Sequence, residues 1–421
     1  MHHFDICVLG LGYIGLPTAS IFATKGKKVL GVDVIPKVVE TINDGRIHIA
    51  EPDLDVLVKA AVQSGNLRAA TVPAAADVYI IAVPTPFRAT AANPRAPDLA
   101  YVEFGTRSLA PVVEPNALVI LESTSPVGTT EKVRDWLYEE LARIGRIDAG
   151  ASPETAFPLF FAHCPERILP GQMLKELVSN DRIAGGLTPE AAVRAQELYR
   201  CFCSAEIFTT DARTAELAKL TENAFRDVNI AFANELSLIC EKLDINVWEL
   251  IRLANRHPRV KILQPGPGVG GHCIAVDPWF IVAAAPAEAR LIRTAREVND
   301  SKPHRIVTQV CAAAASLKEP VIACLGLAFK ADIDDLRESP AMEITTELAG
   351  SVMGQILAVE PHIRELPAAL AKLPNVSLAE GEDALRQANV VVLLVNHRQF
   401  AGIDRALLRD KVVIDTRGFW R

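Results

Sequence analysis

The chain has 421 residues, half of them hydrophobic and 23% charged, with a formal charge of −7. That length exceeds a single core and implies two or three domains. The acidic balance argues against general nucleic-acid affinity. No apolar run reaches the ~20 residues that span a bilayer. The start, Met1-His2-His3-Phe4-Asp5, lacks the basic region of a signal peptide, so a cytoplasmic protein is expected. The eight cysteines form no CxxC pair, and Cys201 and Cys203 stand too close together for a zinc site. Reduced thiols and no metal are expected.

Residues 4–10 (FDICVLG) read as a buried strand, and Gly10-Leu11-Gly12-Tyr13-Ile14-Gly15 follows at once. Residues 16–25 have helical composition, and 28–32 make a second strand ending at Asp33. In this frame each part has a task. The glycines permit a tight turn and close pyrophosphate approach, and the helix N-terminus offers free N–H groups. Asp33 accepts from ribose hydroxyls and repels a 2′-phosphate, which favours NAD over NADP. Further strands are predicted at 78–83, 117–121 and 159–162. Their carboxyl ends carry Pro84-Thr85-Pro86, a loop from Glu122 to Gly128, and a loop from His163 to Gly171. Open α/β sheets bind ligands at such ends. Thr124 and Glu166 are therefore expected to face the dinucleotide crevice, with a helix cap the plainer role for Thr124 and a surface carboxylate for Glu166. The insert 88–97 (RATAANPRAP) reads as a mobile surface loop.

Residues 211–243 contain almost no helix breaker. Leu217, Leu220, Ala224, Val228, Phe232, Leu236 and Ile239 recur at helical spacing as one stripe, predicted to pack against a partner element or a second chain. Lys219, Asn223 and Arg226 form a polar line along one face. A second helix is predicted at 246–255, followed by Arg256-His257-Pro258-Arg259, which suit a phosphate or sugar hydroxyl. Then comes Gln264-Pro265-Gly266-Pro267-Gly268-Val269-Gly270-Gly271-His272-Cys273, with Asp277 four residues on. Four glycines in six positions let backbone approach a ligand. A thiol there can attack a carbonyl carbon, and the hemithioacetal can lose hydride to give a thioester. A buried structural cysteine is the competing reading.

A helix is predicted at 301–317, and strands at 321–326, 355–359, 390–395 and 412–415 repeat the doubly wound pattern without GxGxxG. Lys330 and Arg337, in the charged loop after the first of these strands, are candidate diphosphate contacts. The fold class is thus α/β: two doubly wound Rossmann-like domains joined by a long central helix and a small helical middle domain. The expected boundaries are 1–205 for NAD, 206–300 for the middle and 301–421 for a second nucleotide ligand.

With GLGYIGLP (10–17), AVPTPF (82–87), ESTSPVGTTEK (122–132), CPERILPGQ (164–172), KLTENAFRDVNIAFANE (219–235), GPGVGGHCIAVDPWF (266–280) and GLAFKADIDDLRESPA (326–341) in view, nearly the whole chain resembles the UDP-sugar 6-dehydrogenase family. The resemblance implies a four-electron oxidation of the sugar C6 alcohol to a carboxylate, consuming two NAD. Cys273 would be the nucleophile. Lys219 and Asn223 would stabilise the oxyanion, and Asp277 and Glu166, with water near Thr124, would manage protons and thioester hydrolysis. Gly10, Gly12, Tyr13, Ile14, Gly15, Asp33, Thr85, Thr124 and Arg337 match positions near the cofactor. Arg167, Ile168, Lys219, Asn223, Arg226, His257, Arg259, Gly270, Phe329, Lys330 and Arg417 match positions that hold the UDP-sugar. The family pairs two subunits through its central helices, which implies a homodimer with Arg259 reaching across. Cys164-Pro165-Glu166-Arg167 and His272 resemble the UDP-N-acetyl-hexosamine branch rather than the UDP-glucose branch. Within that branch, likeness favours a mannosamine substrate over its glucosamine epimer, for surface-polysaccharide synthesis. A single-step hydroxyacid-type dehydrogenase shares the domain plan but needs no thiol. A non-catalytic NAD-binding protein would not need Lys219, Cys273 and Asp277 together.

Overall fold

The computed structural model describes residues 3–49, 51–88, 95–148, 150–168, 171–271 and 273–420. The chain divides into two compact units, Met1–Thr221 with Trp279–Ala284, and Glu222–Pro278 with Ala285–Arg421.

The strands of the first unit are β1 (Phe4–Leu9), β2 (Val29–Val32), β3 (Leu67–Ala70), β4 (Ala76–Ile81), β5 (Phe87–Arg88), β6 (Ala96–Pro97), β7 (Leu118–Leu121), β8 (Phe160–His163), β9 (Arg182–Gly186) and β10 (Ile207–Asp211). Eight of them form one sheet in the order β10-β9-β8-β7-β4-β1-β2-β3. Neighbours run parallel except β8 and β9. Both faces are covered, as a parallel sheet requires. Ile6 and Val8 enter one core layer with Leu16 and Phe22, and Cys7 and Leu9 enter the other with Val102 and Leu137. The sequence reading missed β3, β9 and β10. Two of these are edge strands with exposed side chains, and β9 ends in Gly185-Gly186, so none carries the apolar run of a central strand. In the expected mobile insert, 89–94 lie outside the described residues. Its flanks pair as the β5–β6 hairpin, with Phe87 edge-on to Phe280 at 6.1 Å.

The second unit holds β11 (Val321–Leu325), β12 (Gln355–Val359), β13 (Val376–Leu378), β14 (Val390–Leu393) and β15 (Val412–Asp415), all parallel in the order β13-β12-β11-β14-β15. The helix expected at 301–317 starts earlier, spanning Arg290–Ala314 with Pro303 inside it. Pro303 is buried there, so packing outweighs its missing amide donor.

The two sheets share one loop geometry. In the first, Gly10 (φ +88°) donates to the Val32 carbonyl, and Asp33 accepts from the amides of Leu11 and Ile35. In the second, Gly326 (φ +92°) donates to the Val359 carbonyl, and Glu360 accepts from the amides of Leu327 and His362. Only Asp33 stays partly exposed. Glu360 is buried and also hydrogen-bonded to His397, so the second acid is spent on its own fold.

The long helix runs Ala212–Lys242. The expected stripe on it is split. Leu220 and Ala224 are buried, whereas Leu217, Phe232 and Ile239 are exposed within this chain.

Candidate active site

The strand, turn and helix around Gly10–Gly15 fold as expected. Gly15 lets the helix Gly15–Thr24 start tight against the turn, since a Cβ there would lie 1.8 Å from the Gly10 carbonyl oxygen. At Gly12 a Cβ would meet nothing within 4 Å, which leaves the open approach a pyrophosphate requires. Among the described residues no side chain caps that helix, so its N–H groups remain available to an anion. Tyr13 is exposed, Ile14 stands at the helix N-cap, and Asp33 waits at the end of β2. These residues fit NAD. His48, which the sequence reading did not single out, lies beside Asp33. Desolvation lowers its imidazole against the pull of that carboxylate.

Thr85 donates from its hydroxyl to the Thr124 carbonyl at 2.7 Å, tying two strand-end loops together. Thr124 is not the cap of the next helix. Glu216 takes that task, accepting from the Gly128 and Thr130 amides and the Thr130 hydroxyl. Its pattern was invisible in the sequence because 86 residues separate it from Thr130.

Glu166 is buried rather than a surface carboxylate. It accepts from Arg182 Nη2 at 2.6 Å and from the Arg167 amide at 2.7 Å. Arg167 itself donates to the Asp181 carbonyl, and Ile168 packs against the core. Lys219 is half-buried. Its charge reaches His163, a fully buried imidazole driven down to about 3 by desolvation and, further, by that ammonium. His163 is therefore neutral at physiological pH, and among the described residues its ring nitrogens find no side-chain hydrogen-bond partner. It too was missed, though its place at the end of β8 was the available signal.

In the second unit, Asn223 Nδ2 donates to Asp277 Oδ2 at 2.5 Å, and the Asp277 amide donates to the Cys273 carbonyl at 2.8 Å. Asp277 is buried, whereas Cys273 is the exposed one of the eight cysteines. The competing reading of a buried structural thiol is thereby removed. His272, like Leu169 and Pro170, lies outside the described residues.

The glycine loop is shaped by what it touches. A Cβ at Gly270 would fall 2.3 Å from the Glu338 carbonyl oxygen, and one at Gly271 would fall 3.0 Å from the Phe329 ring. The Gly266 amide donates to Asn234, which donates to Asn299, which donates to Asp227, and Arg296 closes the chain on Asp227 at 2.6 Å. All four side chains are buried. A Cβ at Gly266 would lie 2.7 Å from Arg417 Nη1. Arg417 donates from Nε to the Leu394 carbonyl and has no carboxylate partner among the described residues. Burial lowers its guanidinium to about 10.

Lys330 is exposed, and Arg337 forks onto Asp335 at 2.7 and 2.9 Å. Arg226, His257 and Arg259 are exposed, and among the described residues none bonds through its side chain to another candidate site residue outside its own loop.

Three family models match: the NAD binding domain of the UDP-glucose/GDP-mannose dehydrogenase family over 4–203, its central domain over 213–301 and its UDP binding domain over 323–421. The chain is 58% identical to an NDP-N-acetyl-D-galactosaminuronic acid dehydrogenase of Ralstonia nicotianae, covering 99% of this chain and 96% of that one. It is 56% identical to the UDP-N-acetyl-D-mannosamine dehydrogenase of Escherichia coli, with both chains covered in full. The solved structure of a UDP-D-ManNAc dehydrogenase from Pyrococcus horikoshii superposes with a TM-score of 0.86 at 38% identity, covering 100% of this chain and 96% of that one. With a nicotinamide frame in one unit and an exposed thiol beside a glycine loop in the other, the chain belongs to the UDP-glucose/GDP-mannose dehydrogenase family and is an NAD-dependent UDP-sugar dehydrogenase.

Proposed function

We propose that the protein oxidises the C6 alcohol of a UDP-N-acetyl-hexosamine to the carboxylate in two steps, with UDP-N-acetyl-D-mannosamine the favoured substrate. The observation that carries this reading is the exposed Cys273 thiol one turn before a buried Asp277 that Asn223 holds in place. The first oxidation yields an aldehyde. The Cys273 thiolate adds to it, forming a C–S bond, and loss of hydride from the hemithioacetal gives a thioester. Water then breaks the C–S bond and returns the thiol. NAD, when bound, accepts the hydride of each oxidation, so two are consumed per sugar.

Lys219 places positive charge where the oxyanion develops, aided by the Asn223 amide. Asp277 and Glu166 accept protons, with water near Thr124. Gly10, Gly12, Tyr13, Ile14, Gly15, Asp33, Thr85, Thr124 and Arg337 hold the cofactor. Arg167, Ile168, Arg226, His257, Gly270, Phe329, Lys330 and Arg417 hold the UDP-sugar. Arg417, recessed and without a carboxylate partner among the described residues, supports a diphosphate there. The division into 1–205, 206–300 and 301–421 follows these roles.

A homodimer is part of the reading. Phe225, Phe232 and Ile239, each seven residues from the next on the long helix, are 71%, 51% and 46% exposed. Such a stripe is an interface in want of a partner, and Arg259 would act across it. The acid product suits a cytoplasmic step of surface-polysaccharide synthesis.

The test is product analysis on UDP-N-acetylmannosamine, its glucosamine and galactosamine epimers, and UDP-glucose. The favoured substrate should give two NADH and one acid per sugar. Cys273→Ala should make no acid, and a normal yield of two NADH from that variant would end the thioester reading. Lys219→Ala should lower kcat rather than raise KM.

A further inference from the structure

At the carboxyl ends of β7 and β8, buried charge is incompletely compensated. Glu122, Glu166 and Arg182 are all buried, two carboxylates against one guanidinium. Arg182 Nη2 stands 2.6 Å from Glu166, whereas Nη1 stands 3.9 Å from Glu122. The Tyr199 hydroxyl donates to Glu122 Oε1 at 3.0 Å, and among the described residues no group meets Glu122 Oε2 in good hydrogen-bond geometry. The guanidinium lies over the rings of Tyr199 and Phe202, 4.6 and 5.3 Å from their centroids, which pins its plane.

Two anions sharing one cation leave a net negative charge in a poorly solvated place, and a proton is the simplest relief. Glu166 has a guanidinium at 2.6 Å and a backbone amide at 2.7 Å as partners. Glu122 has the Tyr199 phenol, the Thr18 hydroxyl and a more distant cation, none of which compensates its charge as closely, so the proton belongs to Glu122. Burial, reinforced by Glu166, pushes its carboxyl up to about 8. The groups that face it are Thr18 on the helix Gly15–Thr24, Cys164 and Glu166 after β8, Arg182 on β9 and Tyr199 at the end of the helix Pro189–Tyr199.

We propose that Arg182 and Glu122 are positioning residues for Glu166. Arg182 holds Glu166 as an oriented carboxylate, and Glu122 stays in its acid form so that the guanidinium is not divided between two anions. When Glu122 ionises, the second carboxylate competes for Arg182 and Glu166 loses its fixed direction. This rests on the reading that Glu166 handles protons in the reaction.

The experiment measures kcat and KM from mildly acidic to alkaline pH, with a melting curve for every variant. The parent should lose kcat as pH rises through the titration of Glu122, with KM little changed, and Glu122→Gln should remove that alkaline loss. Arg182→Gln should lower kcat on the order of 100-fold, the effect of a misplaced reacting group, and Arg182→Lys should restore part of it. The infrared band of a buried protonated carboxyl should be present in the parent at neutral pH and absent from Glu122→Gln, a readout that needs no activity. An unchanged alkaline limb in Glu122→Gln, or persistence of the band, overturns the proposal. A Glu166→Gln variant with full kcat would instead defeat the underlying role of Glu166, so the two failures are separable.

Discussion

Replacing Gly12 by alanine separates what the fold needs from what the cofactor needs. A methyl group at Gly12 meets nothing within 4 Å, and its backbone lies outside the left-handed region. The folded protein therefore pays no steric cost, and the stiffer unfolded chain should raise stability by about 0.4–1 kcal/mol. The same methyl occupies the space through which a pyrophosphate reaches the turn. Losing one charge-assisted hydrogen bond there costs roughly 1.5–3 kcal/mol, or about 10- to 150-fold in affinity. Gly15→Ala is the contrast. Its Cβ would lie 1.8 Å from the Gly10 carbonyl oxygen, so the turn itself must move and the fold should lose at least ~1–3 kcal/mol. The assays are urea unfolding without ligand and NADH titration by fluorescence. Unchanged NADH affinity in Gly12→Ala, or a stability loss as large as that of Gly15→Ala, would refute the reasoning.

Asp227→Ala takes one of the two carboxylates from the buried Arg296 guanidinium, leaving Asp300, and should cost about 1.5–3 kcal/mol in urea unfolding. Because the same network holds the Gly266 amide, the glycine loop should also gain amide exchange. The raised carboxyl of Glu122 has a consequence for stability. A folded-state value near 8 against 4.5 unfolded gives stability that is full below 4.5 and is lost as pH rises through 8. Glu122→Gln lacks that loss, so its melting temperature relative to the parent should climb across this window, and a constant difference would count against it. Phe232→Glu should convert a dimer to monomers in analytical ultracentrifugation, since it sets two like charges in the stripe. An unchanged sedimentation coefficient would move the interface elsewhere.

Short-range patterns carried most of the fold and the cofactor frame. The turn from Gly10 to Gly15, the acid at Asp33 and the long helix Ala212–Lys242 are local features, dictated by steric freedom, hydrogen-bond direction and helical period within a few residues. For the same reason Cys273 and Asp277 were legible together on one loop. Tertiary structure alone decided which side chains meet across long separations. It placed Arg182 on Glu166, Glu216 on the Gly128 and Thr130 amides, Asn234 on Gly266 and Arg417 beside that same glycine. It also decided that Leu220 is core while Phe232 faces outward, although both fit one helical stripe. Periodicity fixes the face a residue shares but not what, if anything, covers that face. Burial and charge pairing are properties of the packed chain, and they set which carboxylate keeps a proton.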